Sequence, residues 1–155
     1  MNAIETRFWD KVEKIPDGCW EWTAGKSRGY GQFRLDGRMV NAHRFAFGML
    51  VGPIPSGMEL DHICHNPACV NPTHLRTCTP AENSQNQAIP KNNTSGLKGV
   101  CWDKRNKRWL AQIQMNGKRI QLGRFSTPEA AHAAYCRAAT LYHGEFANFG
   151  SGGAR

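Results

Sequence analysis

No apolar run in the 155-residue chain is long enough to cross a bilayer, and no short apolar stretch follows a basic start as it does in a secretion signal. These absences point to a reduced, intracellular setting, where six cysteines are read as metal ligands or buried thiols and not as cystines. Acidic residues are also scarce. Twelve Asp and Glu face twenty Lys and Arg, a net charge of +8 with a pI near 9.5, which suits a polyanionic partner. No basic amphipathic helix supports a membrane surface, so nucleic acid is the expected polyanion. There is no internal repeat. A chain of this length makes one domain or two small ones, and each small one buries so little apolar surface that it needs a staple.

Along the chain, Ile4 to Lys14 reads as a helix with Phe8, Trp9 and Val12 on its apolar side. Cys19 to Trp22 alternates as a strand, and Gly25 to Gly31 is a glycine-rich turn. Tyr30 to Leu35 alternates again and turns at Asp36-Gly37 into Arg38 to Asn41. Ala42 to Leu50 reads as a helix that carries Phe45, Ala46 and Met49 inward, with Pro53 and Pro55 ending it. Leu60 to Cys64 is a short strand and Leu75 to Cys78 its returning partner; the loop between them is folded by Asn66-Pro67 and Asn71-Pro72. Thr79-Pro80-Ala81-Glu82 opens another helix, with Thr79 as N-cap and Glu82 completing a capping box.

The stretch from Asp61 to His74 holds Asp61, His62, Cys64, His65, Cys69 and His74. Cys64, Cys69 and His74 are evenly spaced, four residues lying between successive members. A loop can wrap that spacing around one tetrahedral ion, whereas a helix face or flat strand scatters it, and the donor types favour zinc. A closed site needs a fourth ligand, for which Cys19, Cys78 and His65 are the candidates.

The segment from Gly18 to Asn86 resembles the His-Cys box homing endonucleases and the related phage HNH endonucleases. The residues that carry the likeness are Cys19-Trp20-Glu21-Trp22, His43-Arg44, His62-Ile63-Cys64-His65-Asn66, Cys69, Asn71-Pro72, His74-Leu75 and Asn83. The resemblance implies a zinc site of Cys19, Cys64, Cys69 and His74, with His62 as general base and Asn83 as ligand of a catalytic magnesium. HNH enzymes often place an acidic residue before the histidine as a second magnesium ligand, here Asp61. That chemistry is coherent: phosphodiester hydrolysis needs a neutral imidazole to deprotonate water and a hard cation with oxygen ligands. An arginine should also meet charge on the phosphate, and Arg44 and Arg34 are the candidates. Asn71 is expected to tie the loop together.

From Ser84 to Ser95 the composition turns to Gln, Asn, Ser, Lys and Pro, as in a linker. Beyond it, Val100 to Lys104, Arg108 to Met115 and Lys118 to Phe125 read as strands, the last two joined by Asn116-Gly117. Ser126 to Glu129 starts a helix that runs to about His143, and Ser151 to Arg155 reads as a loose tail. Alternation puts Trp109, Ala111, Ile113, Met115, Ile120 and Leu122 on one face and Gln112, Gln114, Arg119 and Gln121 on the other. The polar face offers groups that pair with base edges, while Lys98, Lys104, Arg105, Lys107, Arg108 and Lys118 suit phosphates. Ser95 to Phe149 resembles the Apetala-2 / ethylene-response-factor DNA-binding domain, through Gly96 to Val100, Trp109 to Ile113, Leu122 to Phe125, Glu129-Ala130-Ala131, Ala134-Tyr135 and Phe146 to Phe149. The resemblance implies a sheet laid in the major groove. The glutamines depart from the plant pattern, so only the mode of binding carries over.

The expectation is an α+β protein with a zinc-braced ββα-metal nuclease core in 1–88, a linker in 89–95 and a three-stranded antiparallel sheet packed on one helix in 96–150. It is expected to be a magnesium-dependent HNH homing endonuclease acting on double-stranded DNA in the cytoplasm of a bacterial host cell, with zinc structural and magnesium catalytic. A homodimer is left open. The alternative is a DNA-binding regulator with an inactive nuclease fold.

Overall fold

A computed structural model of the protein describes residues 2–87, 89 and 92–150. It is a mixed α/β protein with several small sheets, forming two compact units, Met1–Thr79 and Pro80–Arg155. The tail at 151–155 lies outside the described residues.

In the first unit, helix α1 (Ala3–Trp9) starts on Asn2, whose side-chain oxygen accepts the N–H groups of Ile4 and Glu5 at 3.0 and 2.9 Å. The expected continuation to Lys14 does not occur. Val12–Lys14 is instead strand β1, antiparallel to β2 (Trp20–Trp22), with Val12 opposite Trp22 and Lys14 opposite Trp20. Packing decides this against local helix preference: the Lys14 ammonium lies 4.6 Å from the Trp9 ring centre and 4.0 Å from that of Trp20.

The Gly25–Gly31 turn is partly strand, because β3 (Lys26–Ser27) pairs with β4 (Tyr30–Leu35), which pairs in turn with β5 (Arg38–Asn41). Gly31 is required there. A Cβ at that position would fall 2.6 Å from the Trp22 ring. Helix α2 (Ala42–Leu50) covers this sheet, and Phe8, Trp22, Phe33, Ala42, Ala46 and Val70 form the buried core, with Phe45 and Met49 packed at its margin.

Strands β6 (Glu59–His62) and β7 (Leu75–Cys78) pair antiparallel, so β6 stops two residues short of Cys64 and leaves that thiol in the loop. The loop is stitched to β2. Trp22 N–H donates to the Ala68 carbonyl at 3.0 Å, Val70 N–H donates to that of Trp20 at 2.8 Å, and Cys69 bridges to Glu21. Asn71 closes the last turn, accepting from Thr73 N–H while its amide donates to the Gly18 carbonyl at 3.0 Å.

The second unit opens with α3 (Pro80–Gln85) and continues with β8 (Val100–Asp103), β9 (Arg108–Met115) and β10 (Lys118–Phe125), an antiparallel sheet in the order β10-β9-β8. Asn116 and Gly117 take positive φ of 49° and 74°, as a two-residue hairpin requires. Helix α4 (Pro128–His143), capped by Thr127, packs on Val100, Ala111 and Ile113 through Ala131, Tyr135, Ala138 and Ala139. A bulge between Gln121 and Gly123 keeps Leu122 in that core. Gly99 has φ +74°, and a Cβ there would fall 2.0 Å from the Tyr135 ring. Strand β8 ends one residue before the expected Lys104 because the Asp103 carboxylate turns the chain, accepting from the N–H groups of Arg105 and Asn106 at 3.1 Å.

Candidate metal centre and nuclease site

Within the first unit, β2, the β6–β7 loop and one turn of 3-10 helix (Pro72–His74) bring Cys19, Cys64, Cys69 and His74 together, with all ligand atoms within 4.8 Å of one another. His74 turns Nδ1 inward, 3.6 Å from the sulfurs of both Cys19 and Cys69. Three sulfurs and one imidazole nitrogen in such a cluster fit a single tetrahedral zinc. The three thiols differ in acidity. The Cys64 thiol beside it, together with donors from Asn71 and His74, brings Cys69 down to about 4, whereas the Cys64 thiol itself is pushed up by Cys69 and by burial. Burial also raises Cys19. Of the other two candidates for fourth ligand, Cys78 is buried with its thiol on the Glu59 carbonyl, and His65 is exposed at a turn with φ 56°.

His62 closes β6 and is buried at 7% exposure. Its Nε2 lies 3.0 Å from the Cys69 carbonyl. A carbonyl only accepts, so Nε2 carries the hydrogen and Nδ1 the lone pair. Burial lowers the pKa of His62 below the ordinary imidazole value, against smaller opposing effects of the Cys69 carbonyl and Asp61. The imidazole is therefore neutral and basic at Nδ1 near neutral pH.

Two rings wall His62, one from Tyr30 and one from His43, which the resemblance includes without giving it a place beside His62. His43, in the first turn of α2, meets the His62 ring edge to face with centres 4.8 Å apart, and Tyr30 lies 5.5 and 5.9 Å from the two histidines. His43 is 4% exposed, and its Nδ1 is buried without a hydrogen-bond partner. Burial, reinforced by His62 and Arg44, drives its pKa down to about 3, so it too is neutral.

Asp61 is buried beside His62, and Arg76 was not among the expected residues. The β6–β7 register sets Arg76 opposite Asp61, and its Nε and Nη2 reach the same carboxylate oxygen at 2.9 and 2.8 Å. The signal was available in the spacing of the two strands, once their ends are known. Arg44 is exposed in the first turn of α2 and Arg34 is exposed on β4. Asn83 is half-buried on α3, in the second unit.

On the sheet, the register sets Gln112 opposite Gln121 and Gln114 opposite Arg119, and the last three are exposed. Arg105, Lys107 and Arg108 are exposed around the β8–β9 turn, and Arg124 is held by Asp103 at 2.8 Å. Lys98, expected to face phosphates, is part-buried. Its ammonium turns inward onto the carbonyls of Gln85 and Gln87, and burial lowers its pKa to about 8.

The sequence pattern of the HNH endonuclease family matches residues 40–85, and that of the AP2 domain matches residues 95–145. Protein 3.8 of Escherichia phage T7 is 40% identical over 98 residues, which cover 63% of this chain and 80% of that protein. The chain belongs to the HNH endonuclease family. An HNH domain is followed in it by an AP2-like domain. Protein 7.7 of phage T7 is 38% identical over 81 residues, 52% of this chain and 62% of the relative. A protein of Acanthamoeba polyphaga mimivirus named uncharacterized HNH endonuclease L560 is 35% identical over 129 residues, 83% of this chain and 65% of its own length. The chain thus spans less than two thirds of these last two relatives.

The HNH match runs from Val40, so three of the clustered metal donors lie inside it and Cys19 lies outside. β2 is what delivers that thiol, through its hydrogen bonds to Ala68 and Val70. The match also includes α3, which folds as part of the second unit.

Proposed function

We propose that the protein is a magnesium-dependent HNH endonuclease of the homing type. It hydrolyses phosphodiester bonds of double-stranded DNA, with target recognition by the C-terminal sheet, in the cytoplasm of a bacterial host. The observation that carries this reading is the His62 imidazole, fixed by the Cys69 carbonyl with its lone pair on Nδ1 and kept neutral by burial. Cys19, Cys64, Cys69 and His74 would hold zinc that braces the ββα-metal core, and Asn83 and Asp61 are read as the ligands that would hold magnesium, which would supply positive charge for the phosphodiester.

The protein's own part is positioning and proton transfer. His62 Nδ1 takes a proton from the attacking water as the new P–O bond forms and the bond to the 3′ oxygen breaks. Arg44 meets charge on the phosphate. Arg76 holds the Asp61 carboxylate in one orientation. Lys104, Arg105, Lys107, Arg108 and Lys118 contact the DNA backbone, while Gln112, Gln114, Arg119 and Gln121 face the bases.

Nicking of a supercoiled plasmid with and without magnesium tests the reading. Cleavage should require magnesium, and His62→Ala should lower it by about a thousandfold while zinc content and DNA binding stay as in the parent. Binding without cleavage at any magnesium concentration would leave the inactive-fold alternative standing.

A further inference from the structure

Helix α3 is six residues long, too short to persist in water on its own. Carbonyls at the end of this helix and just beyond it are met from distant points of the second unit. Lys98 Nζ donates to the Gln85 carbonyl at 3.0 Å and also to that of Gln87, and Asn148 Nδ2 donates to the Asn86 carbonyl at 2.7 Å. Asn86 N–H closes the final turn on the carbonyls of Asn83 and Glu82, at 3.2 and 3.4 Å.

Both clamping residues are themselves anchored. Asn148 accepts from Gly150 N–H through Oδ1 at 2.7 Å, and its carbonyl accepts the Tyr135 hydroxyl at 3.1 Å. Tyr135 is buried in the core of sheet and helix, against Gly99, the neighbour of Lys98. A cation at the C-terminal end of a helix also complements its dipole. A lysine retained for phosphates keeps its ammonium in water, and Lys98 does the opposite.

We propose that Lys98 and Asn148 are positioning residues for Asn83: the C-terminal module holds the end of the helix that carries the magnesium ligand. This rests on the reading of Asn83 as that ligand. The AP2-like module then has two tasks, reading DNA and fixing a nuclease residue.

The test is a magnesium titration of the full chain followed by the side-chain amide resonance of Asn83, in the parent and in Lys98→Met and Asn148→Ala. DNA affinity is measured over a range of salt in parallel. Each variant should raise the magnesium midpoint at Asn83 by about tenfold, the scale expected for a group that orients a metal ligand, with DNA affinity and salt slope unchanged. A parent whose Asn83 resonance ignores magnesium removes the ligand assignment and this inference with it. A parent that responds, with variants of the same midpoint, overturns the inference alone. The inference also fails if Lys98→Met lowers DNA affinity and flattens the salt slope by about one without moving the midpoint, because Lys98 is then a phosphate contact. Should Lys98→Met not fold, Asn148→Ala, which removes a neutral group, decides by the same criteria.

Discussion

The Nε2 of His62 hydrogen-bonds to the backbone carbonyl of Cys69, 3.0 Å away, and the sulfur of that same Cys69 belongs to the cluster of four metal donors. One residue therefore links the brace to the base. Displacing the loop would move the acceptor that selects the tautomer of His62, so loss of metal should damage the chemistry together with the fold of the first unit.

The pH profile of cleavage follows from the burial of His62. Its pKa lies below the ordinary 6.5, and only the neutral imidazole acts as a base. The rate at saturating magnesium should be flat through neutrality and fall only on the acid side, with a midpoint under 6.5. A midpoint at or above 6.5 in the rate profile would contradict the assignment.

His43 makes the first unit acid-sensitive. Its folded pKa is about 3 against 6.5 unfolded, so below 6.5 the unfolded chain binds a proton that the folded chain excludes. The contribution is fully present above pH 6.5 and shrinks as pH falls toward 3, by about 2 kcal/mol at pH 5. Urea unfolding of the parent and of His43→Leu between pH 5 and 7 checks this. The variant should show a pH slope shallower by nearly one proton.

Replacing Cys19 by Ser should abolish stoichiometric zinc and unfold the first unit, because metal binding supplies folding free energy that a small core lacks. DNA binding by the second unit should survive. Retention of one zinc per chain with an unchanged melting temperature would place the fourth ligand elsewhere.

Arg119 and Lys107 should behave differently on DNA. Arg119→Ala is expected to cost about 1–3 kcal/mol at a specific site and relax preference there, whereas Lys107→Ala should weaken all sequences alike and flatten the salt dependence. Equal losses on specific and random duplexes for both variants would argue against base reading by the sheet.

Much of this arrangement is legible in the residues, and what is missing shares one cause. Alternation at Tyr30 to Leu35, the Asp36-Gly37 and Asn116-Gly117 turns, and the Thr127-Pro128 start of α4 are local signals, and the elements fall where they indicate. Strand β1 was not legible, because Val12 to Lys14 becomes a strand only by pairing with Trp20 to Trp22. Spacing alone left Cys19, Cys78 and His65 as equal candidates for the fourth donor, since nothing local distinguishes a thiol that β2 delivers from one buried in β7. The inward turn of Lys98 has the same cause. A lysine in a basic module reads as a phosphate contact, and only tertiary packing turns it onto Gln85 and Gln87. The rings of Tyr30 and His43 come to His62 from β4 and α2, a convergence with no sequence spacing to announce it.

The stitching of β2 to the metal loop also equips the molecule with an optical gauge. Trp22 is fully buried and its backbone N–H is bonded to the Ala68 carbonyl, while the Trp20 carbonyl receives Val70 N–H and the Trp20 ring lies under the Lys14 ammonium. Two tryptophans are thus tied through their backbone to the loop whose donors cluster with Cys19. Chelation should shift tryptophan emission to the red as Trp22 meets water, whereas Trp102, already 42% exposed in the second unit, contributes little to the change. Metal occupancy can in this way be followed by fluorescence in the unlabelled protein.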